Sequence, residues 1–348
     1  MLIAVRSFFR ELLSTLINIA GLMVGLTCCL FIFLWVKDEL RYDLFHKDHE
    51  RIFAVMENQA YSDGEILTYD ASPAPLAEKL QHDFPEVELS SHYSWPRQML
   101  FSEGQQSIYN EGFFADTSFF KLFTFPLIEG NPNKPMPDLK SVVISRRMAE
   151  KYFPGQSALG KVLRIDNEWD ATITAVIENV PENSTIWFDF ILPFQLYAQQ
   201  TSKDLDWSNH ITFTYVKLSA EADVDSFSAK IKDLLVSTHV ESSQIKLFLF
   251  PLNEWRLFWE FENGVQTGGG RIVYVIGLSL ASFLILVAAC INLMNLATAR
   301  AARRAKEVGI RKVSGASRSV LVQQFLIESM LLSFKLRVTG HQLPVKGL

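Results

Sequence analysis

"LLSTLINIAGLMVGLTCCLFIFLWV", Leu12 to Val36, runs for 25 residues without a charge, and "IVYVIGLSLASFLILVAACINLMNLATA", Ile272 to Ala299, runs for 28. About 20 apolar helical residues cross a hydrocarbon core of ~30 Å, so each stretch is long enough to span a membrane. Arg6 and Arg10 precede the first stretch as the basic end of a secretory signal would. Its apolar run is nevertheless longer than the ~7–15 residues of such signals, and no small-x-small site precedes "VKDEL". Cys28 could carry a lipid, but the run stays apolar beyond it to Val36. The first stretch therefore reads as an uncleaved anchor.

Charge is sorted by segment. Residues 37–271 hold 21 Lys and Arg against 35 Asp and Glu, whereas residues 272–348 hold 10 against 2. Between Arg300 and Arg318 seven cations face the single acid Glu307. Basic loops stay cytoplasmic, which puts residues 37–271 outside and returns the N-terminus to the cytoplasm. Cys28, Cys29 and Cys290 all lie in the two apolar stretches, so the external segment has no disulfide and is held by its core alone.

That external segment reads as α+β. "SPAPLAEKLQHDF" carries Leu76, Leu80 and Phe84 at helical spacing behind a Ser-Pro start, and "SVVISRRMAEKYF" begins as a strand and turns helical at about Ser145. "KVLRI", "DATITAVIENV", "ITFTYVKLS" and "IKLFLFPL" are strands, and "DVDSFSAKIKDLLVSTH" is a helix with Phe227, Ile231, Leu234 and Leu235 on one face. "EGNPNKPMPD" and "NGVQTGGGR" are loops, the latter a hinge into the second span.

No motif argues for catalysis. "GQSALGKV", Gly155 to Val162, approaches a phosphate-cradling loop, but Val162 stands where a hydroxyl should hold magnesium, and a helix precedes it where a strand should. It reads as a turn. His46 and His49 in "FHKDHE" have the spacing of a metal pair without a second cluster to complete it, and read as the polar face of a helix leaving the membrane. Asp166, Glu168 and Asp170 alternate on a solvated hairpin face. No cofactor, metal or nucleic acid is expected.

Within the first span Gly21 and Gly25 form a G-x-x-x-G that admits close helix packing. Asn292 and Asn295 mark the headgroup end of the second span. Beyond it, Ala302, Ala305 and Val308, then Val313, Ala316 and Val320, make a basic amphipathic stretch interrupted by Gly309 and Gly315, suited to anionic lipid or to a bend seated on a protein partner. "LVQQFLIESMLLSF", Leu321 to Phe334, begins a third apolar helix too short to cross.

Five strings together resemble the MacB/FtsX type of ABC transporter permease, with a MacB-like periplasmic core domain and an FtsX-like permease region. They are "LINIAGLMVGLTCCLFIFLWVKDELRYDLFHKDHERIFAV" from Leu16, "DTSFFKLFTFPLIEGN" from Asp116, "SVVISRRMAEKYFPGQSALGK" from Ser141, "VIENVPENSTIWFDF" from Val176, and "ACINLMNLATARAARRAKEVGIRKVSGASRSVLVQQFLIESMLLS" from Ala289. The resemblance covers the chain to about Ser333. It implies a separate cytoplasmic ATPase whose ATP-driven dimerisation is transmitted through helices to the periplasmic domain, with no substrate passing between the spans. It also implies that Arg303, Arg304, Lys306, Glu307, Gly309, Arg311, Lys312 and Gly315 couple to that ATPase.

The resulting expectation is an inner-membrane, multi-pass protein. Residues 1–11 are cytoplasmic, 12–36 span, 37–271 form the periplasmic domain, 272–299 span again, 300–320 couple, 321–334 begin an incomplete third span, and 335–348 are an atypical tail. The family needs at least two further spans, so the chain reads as C-terminally truncated. A second permease copy or a paralogue, the lipid bilayer and a periplasmic partner are the further expected contacts. The rival is a two-span receptor with an external ligand-binding domain, which calls for sustained heptads after the second span where this chain has glycines.

Overall fold

The computed structural model of the chain describes residues 2–201, 205–235 and 244–313. In order, the elements are α1 (Leu2–Glu39), β1 (Ile52–Ala60), β2 (Ile66–Tyr69), β3 (Ala71–Pro73), α2 (Pro75–Asp83), β4 (Val87–Ser94), β5 (Arg97–Glu103) and β6 (Gln106–Ala115). Next come α3 (Phe119–Leu122), β7 (Leu127–Gly130), β8 (Ser141–Ser145), α4 (Arg146–Tyr152), β9 (Val162–Ile165), β10 (Trp169–Ile177), β11 (Phe190–Pro193) and α5 (Phe194–Thr201). The chain continues with β12 (His210–Leu218), α6 (Val224–Ile231), β13 (Ile245–Pro251), α7 (Leu252–Trp255), β14 (Phe261–Glu262), β15 (Val265–Gln266) and α8 (Arg271–Val313). The described residues fall into two compact units, one within residues 33–279 and the other within residues 2–32 and 280–313.

The larger unit is α+β. Six of its strands close on themselves in the order β11, β8, β10, β9, β5, β6, with β6 returning to β11. Most pairs are antiparallel, but β8 with β10 and β6 with β11 are parallel. All six strands send side chains into one apolar cluster, including Phe101, Phe114, Ile144, Leu163, Ile173 and Phe190, which α4 closes with Met148 and Tyr152. Strand β10 shows why its sequence alternates and then stops alternating. Ala171 and Ile173 face this cluster, a bulge follows Ile173, and Ala175 and Ile177 then face a second cluster while Val176 stays in the first.

Outside the closed strands, β4, β12, β1 and β13 form a sheet with α2 and α6 on one face. Strand β1 is buried on both sides. Phe53 and Val55 pack under Leu76, Leu80, Phe227 and Ile231, while Ile52, Ala54 and Met56 enter an aromatic cluster with Tyr93, Phe119, Phe123 and Tyr215.

Local chemistry explains the element ends. Ser145 caps α4 by accepting from Met148 N at 3.2 Å, and Asp223 caps α6 by accepting from Ser226 N at 3.3 Å. The helix expected from Ser72 begins instead at Pro75, because Ser72 belongs to β3, which pairs with β12. Helix α6 ends at Ile231, short of its apolar stripe. The hinge loop contains a small hairpin, β14–β15, on an Asn263-Gly264 turn with φ of 49° and 75°. "GQSALGKV" turns from α4 to β9, with Gly155 and Gly160 at φ of 71° and 78°. Asp166, Glu168 and Asp170 are exposed around the β9–β10 turn.

In the smaller unit Gly25 faces α8: a Cβ there would lie 3.5 Å from Ile285 and 3.9 Å from Ala289, whereas one at Gly21 would meet nothing within 4 Å. Cys29 Sγ donates to Ser282 O at 3.3 Å. The third apolar helix at Leu321–Phe334, the tail and Gly315 lie outside the described residues.

Candidate functional site: the helix ends and their basic extension

Helix α1 ends at Glu39, an acid placed after a long apolar run, and its side chain is only 3% exposed. A buried carboxylate is tolerable only when charge and hydrogen bonds compensate it. Here it accepts from Arg256 Nε at 2.8 Å and from both Nε and, at 3.2 Å, Nη2 of Arg271. Arg256 directly follows α7, and its guanidinium lies 4.2 Å from the Tyr42 ring centre. Arg271 is the first residue of α8. The glycines before it set its position. Gly270 has φ of 92° and runs so close to Leu257 that a Cβ would stand 2.8 Å from that carbonyl oxygen, to which Ile272 N donates at 3.2 Å.

The segment leaving α1 is anchored next. Asp43 is fully buried with φ of 60°; its N–H donates to Asn183 O at 2.9 Å, and its carboxylate accepts from Thr185 N at 2.8 Å and from the Thr185 hydroxyl. Asn183 Nδ2 returns a bond to Arg41 O at 3.0 Å. Burial raises the Asp43 carboxyl above its ordinary range, while the Thr185 donors and the Arg256 charge pull it back.

His46 is 1% exposed and accepts from Thr124 N at 3.0 Å, with Phe123 and Phe125 ring centres each 5.2 Å away. Burial lowers its pKa to about 3, and His49 adds to the shift. The imidazole is therefore neutral. "FHKDHE" is not the face of a helix leaving the membrane as expected: α1 has stopped at Glu39, and the string is a run of turns that leads into a single 3-10 turn at His49–Arg51, with buried aromatics around His46. Among the described residues no group of three His, Cys, Asp or Glu converges on a metal position.

At the other end, α8 is unbroken for 43 residues. At 1.5 Å per residue it is ~64 Å long, about twice a hydrocarbon core of ~30 Å. Arg303, Arg304, Lys306, Glu307, Gly309, Arg311 and Lys312 all fall within it, with Arg303, Glu307 and Arg311 at one-turn steps. The expected interruption at Gly309 is absent, and a Cβ there would meet nothing within 4 Å.

Residues 15–234, well over half the chain, match the MacB-like periplasmic core domain, and residues 279–340 match the FtsX-like permease C-terminal region. The chain belongs to the MacB/FtsX family of ABC transporter permeases. It is a membrane protein in which two apolar helices flank a periplasmic α+β domain. Over 345 residues the permease is 22% identical to the uncharacterized ABC transporter permease YvrN of Bacillus subtilis (strain 168), covering 95% of this chain and 82% of that protein. Over 227 residues it is 26% identical to the macrolide export ATP-binding/permease protein MacB of Neisseria gonorrhoeae, covering 63% of this chain. The chain spans only 32% of the length of that relative. In fold it is similar to a domain assigned to a permease protein of Porphyromonas gingivalis, at a TM-score of 0.51 and 23% identity, covering 59% of this chain and 92% of that domain.

Sequence reasoning did not reach Glu39, Arg256, Arg271 or Thr185 in the permease. An acid closing one apolar run and an arginine opening the other were visible signals, but their pairing joins positions 232 residues apart.

Proposed function

We propose that the chain is a permease subunit of a bacterial inner-membrane ABC assembly that carries ATP-driven motion of a separate cytoplasmic ATPase to its periplasmic domain, for export or extraction of a substrate. The unbroken course of α8 is the observation that supports this reading most directly. One helix runs without a break from Arg271 through the apolar stretch into the basic segment, and it is the element along which displacement at one end would be passed to the other. In this reading Arg303, Arg304, Lys306, Glu307, Gly309, Arg311, Lys312 and Gly315 meet the ATPase, the assembly contains a second permease copy, and a periplasmic partner receives the motion. The substrate bypasses the spans, and ATP is hydrolysed outside this chain.

The test is affinity recovery of the tagged chain from its host in detergent, with mass spectrometry of the co-purifying proteins. An ATP-binding subunit is expected with the parent chain and is lost when Arg303, Arg304, Lys306, Arg311 and Lys312 are replaced by Gln. Recovery of the same ATPase by the neutralised chain overturns the assignment of the basic segment. Recovery of no ATPase by the parent overturns the reading that this chain carries the motion of a separate ATPase.

A further inference from the structure

We propose that Glu39 is the positioning residue that holds the periplasmic ends of the two spans as one mechanical unit, an inference that rests on the permease reading. The argument begins with its place: Glu39 is the last residue of α1, and its carboxylate is shared by Arg271, the first residue of α8, and by Arg256, which closes the β13–α7 connection. Among the described residues the Glu39–Arg271 pair joins the two helix ends, and the Glu39–Arg256 pair ties the end of α1 to α7. The carboxylate is 3% exposed while Arg256 and Arg271 are 29% and 44% exposed, so the buried acid depends on these two cations for its compensation.

Arg256 extends the grip. Besides Glu39 it covers the Tyr42 ring and bears on Asp43, whose own bonds to Asn183 and Thr185 fasten the segment leaving α1 onto the loop after β10. A pull on α8 thus reaches Glu39 through Arg271, and from Glu39 it reaches the domain along both β13–α7 and residues 40–43. Removing the carboxylate leaves two guanidinium groups facing each other across the junction, and the helix ends are free to separate.

The experiment uses the full chain in membranes with its co-purifying ATPase, in a background with Cys28, Cys29 and Cys290 replaced by Ser. Spin labels go on Lys37→Cys and Tyr274→Cys, exposed positions beside the two ends. The parent is expected to give one narrow distance distribution that does not change on ATP. Glu39→Gln is expected to broaden it by about twofold, most with ATP bound, while ATPase recovery stays unchanged. A parental distribution in Glu39→Gln, or separation of the labels in the parent on ATP, overturns the proposal.

Because a stranded cation could impair folding, the double variant Glu39→Gln with Arg271→Gln is read alongside. It is expected to restore expression and keep the broad distribution. If it restores the narrow one, Glu39 acts only on stability and the proposal falls. If no ATPase is recovered with the parent, the reading that the chain transmits ATPase motion fails on its own, and the nucleotide-free comparison still decides whether Glu39 joins the ends.

Discussion

At His46 the imidazole lies between Phe123 and Phe125 with its pKa at about 3, against an ordinary value of 6.5. Below pH 6.5 the unfolded chain takes up a proton that the folded chain refuses until about pH 3, so the stability owed to this residue is full above 6.5 and drains away as pH falls. At pH 5 the loss is about 2 kcal/mol. Asp43 has the opposite sign, since its raised carboxyl contributes below 3.8 and loses that contribution as pH rises. Thermal melting of the solubilised chain at pH 8 and pH 5 is expected to show the His46 loss, and His46→Gln, though less stable at pH 8, is expected to lack it. An identical pH 8 to pH 5 difference in parent and variant refutes this account.

Among the elements, the closure of six strands depends on one glycine. Gly112 of β6 sits opposite Phe190 of β11, and a Cβ there would stand 2.1 Å from the Phe190 carbonyl oxygen. Gly112→Ala is expected to cost about 3 kcal/mol by forcing the strands apart, whereas Gly277→Ala in α8, where a Cβ meets nothing within 4 Å, is expected to cost nothing; denaturant midpoints separate the two. The same contrast explains what could be read in advance. The β8–α4 boundary was legible because Ser145 caps its own helix within three residues. The start of α2 was misplaced because Ser72 answers to β12, far along the chain, and that pairing outweighs a Ser-Pro helix signal. Strand closure through β6 and β11 leaves no local mark. The basic cluster past the second span was evident from composition, yet its helical continuity through Gly309 was not, because a glycine in a helix costs only ~1 kcal/mol and neighbouring turns carry it.

For the whole molecule, the sorting of charge predicts a sidedness that can be checked without knowing the substrate. In a cysteine-free background, Tyr109→Cys on the exposed face of β6, 67% accessible, is expected to react with a membrane-impermeant maleimide added to intact spheroplasts. Lys306→Cys is expected to react only after permeabilisation. The reverse pattern overturns the topology.

The strand order also dictates a sequence of events at birth. The closed strands β5 to β11 are one continuous piece of chain, while the sheet around them is assembled from both flanks: β1 pairs with β12 and β13, which come after that piece. As the polypeptide emerges from the membrane, the six closed strands have all their partners at hand once Pro193 has been delivered, whereas β1 finds β2 at once but has its full set of partners only when Pro251 has arrived. The first strand to leave the translocation machinery is thus among the last to find its place, and it waits tethered to the lipid by α1.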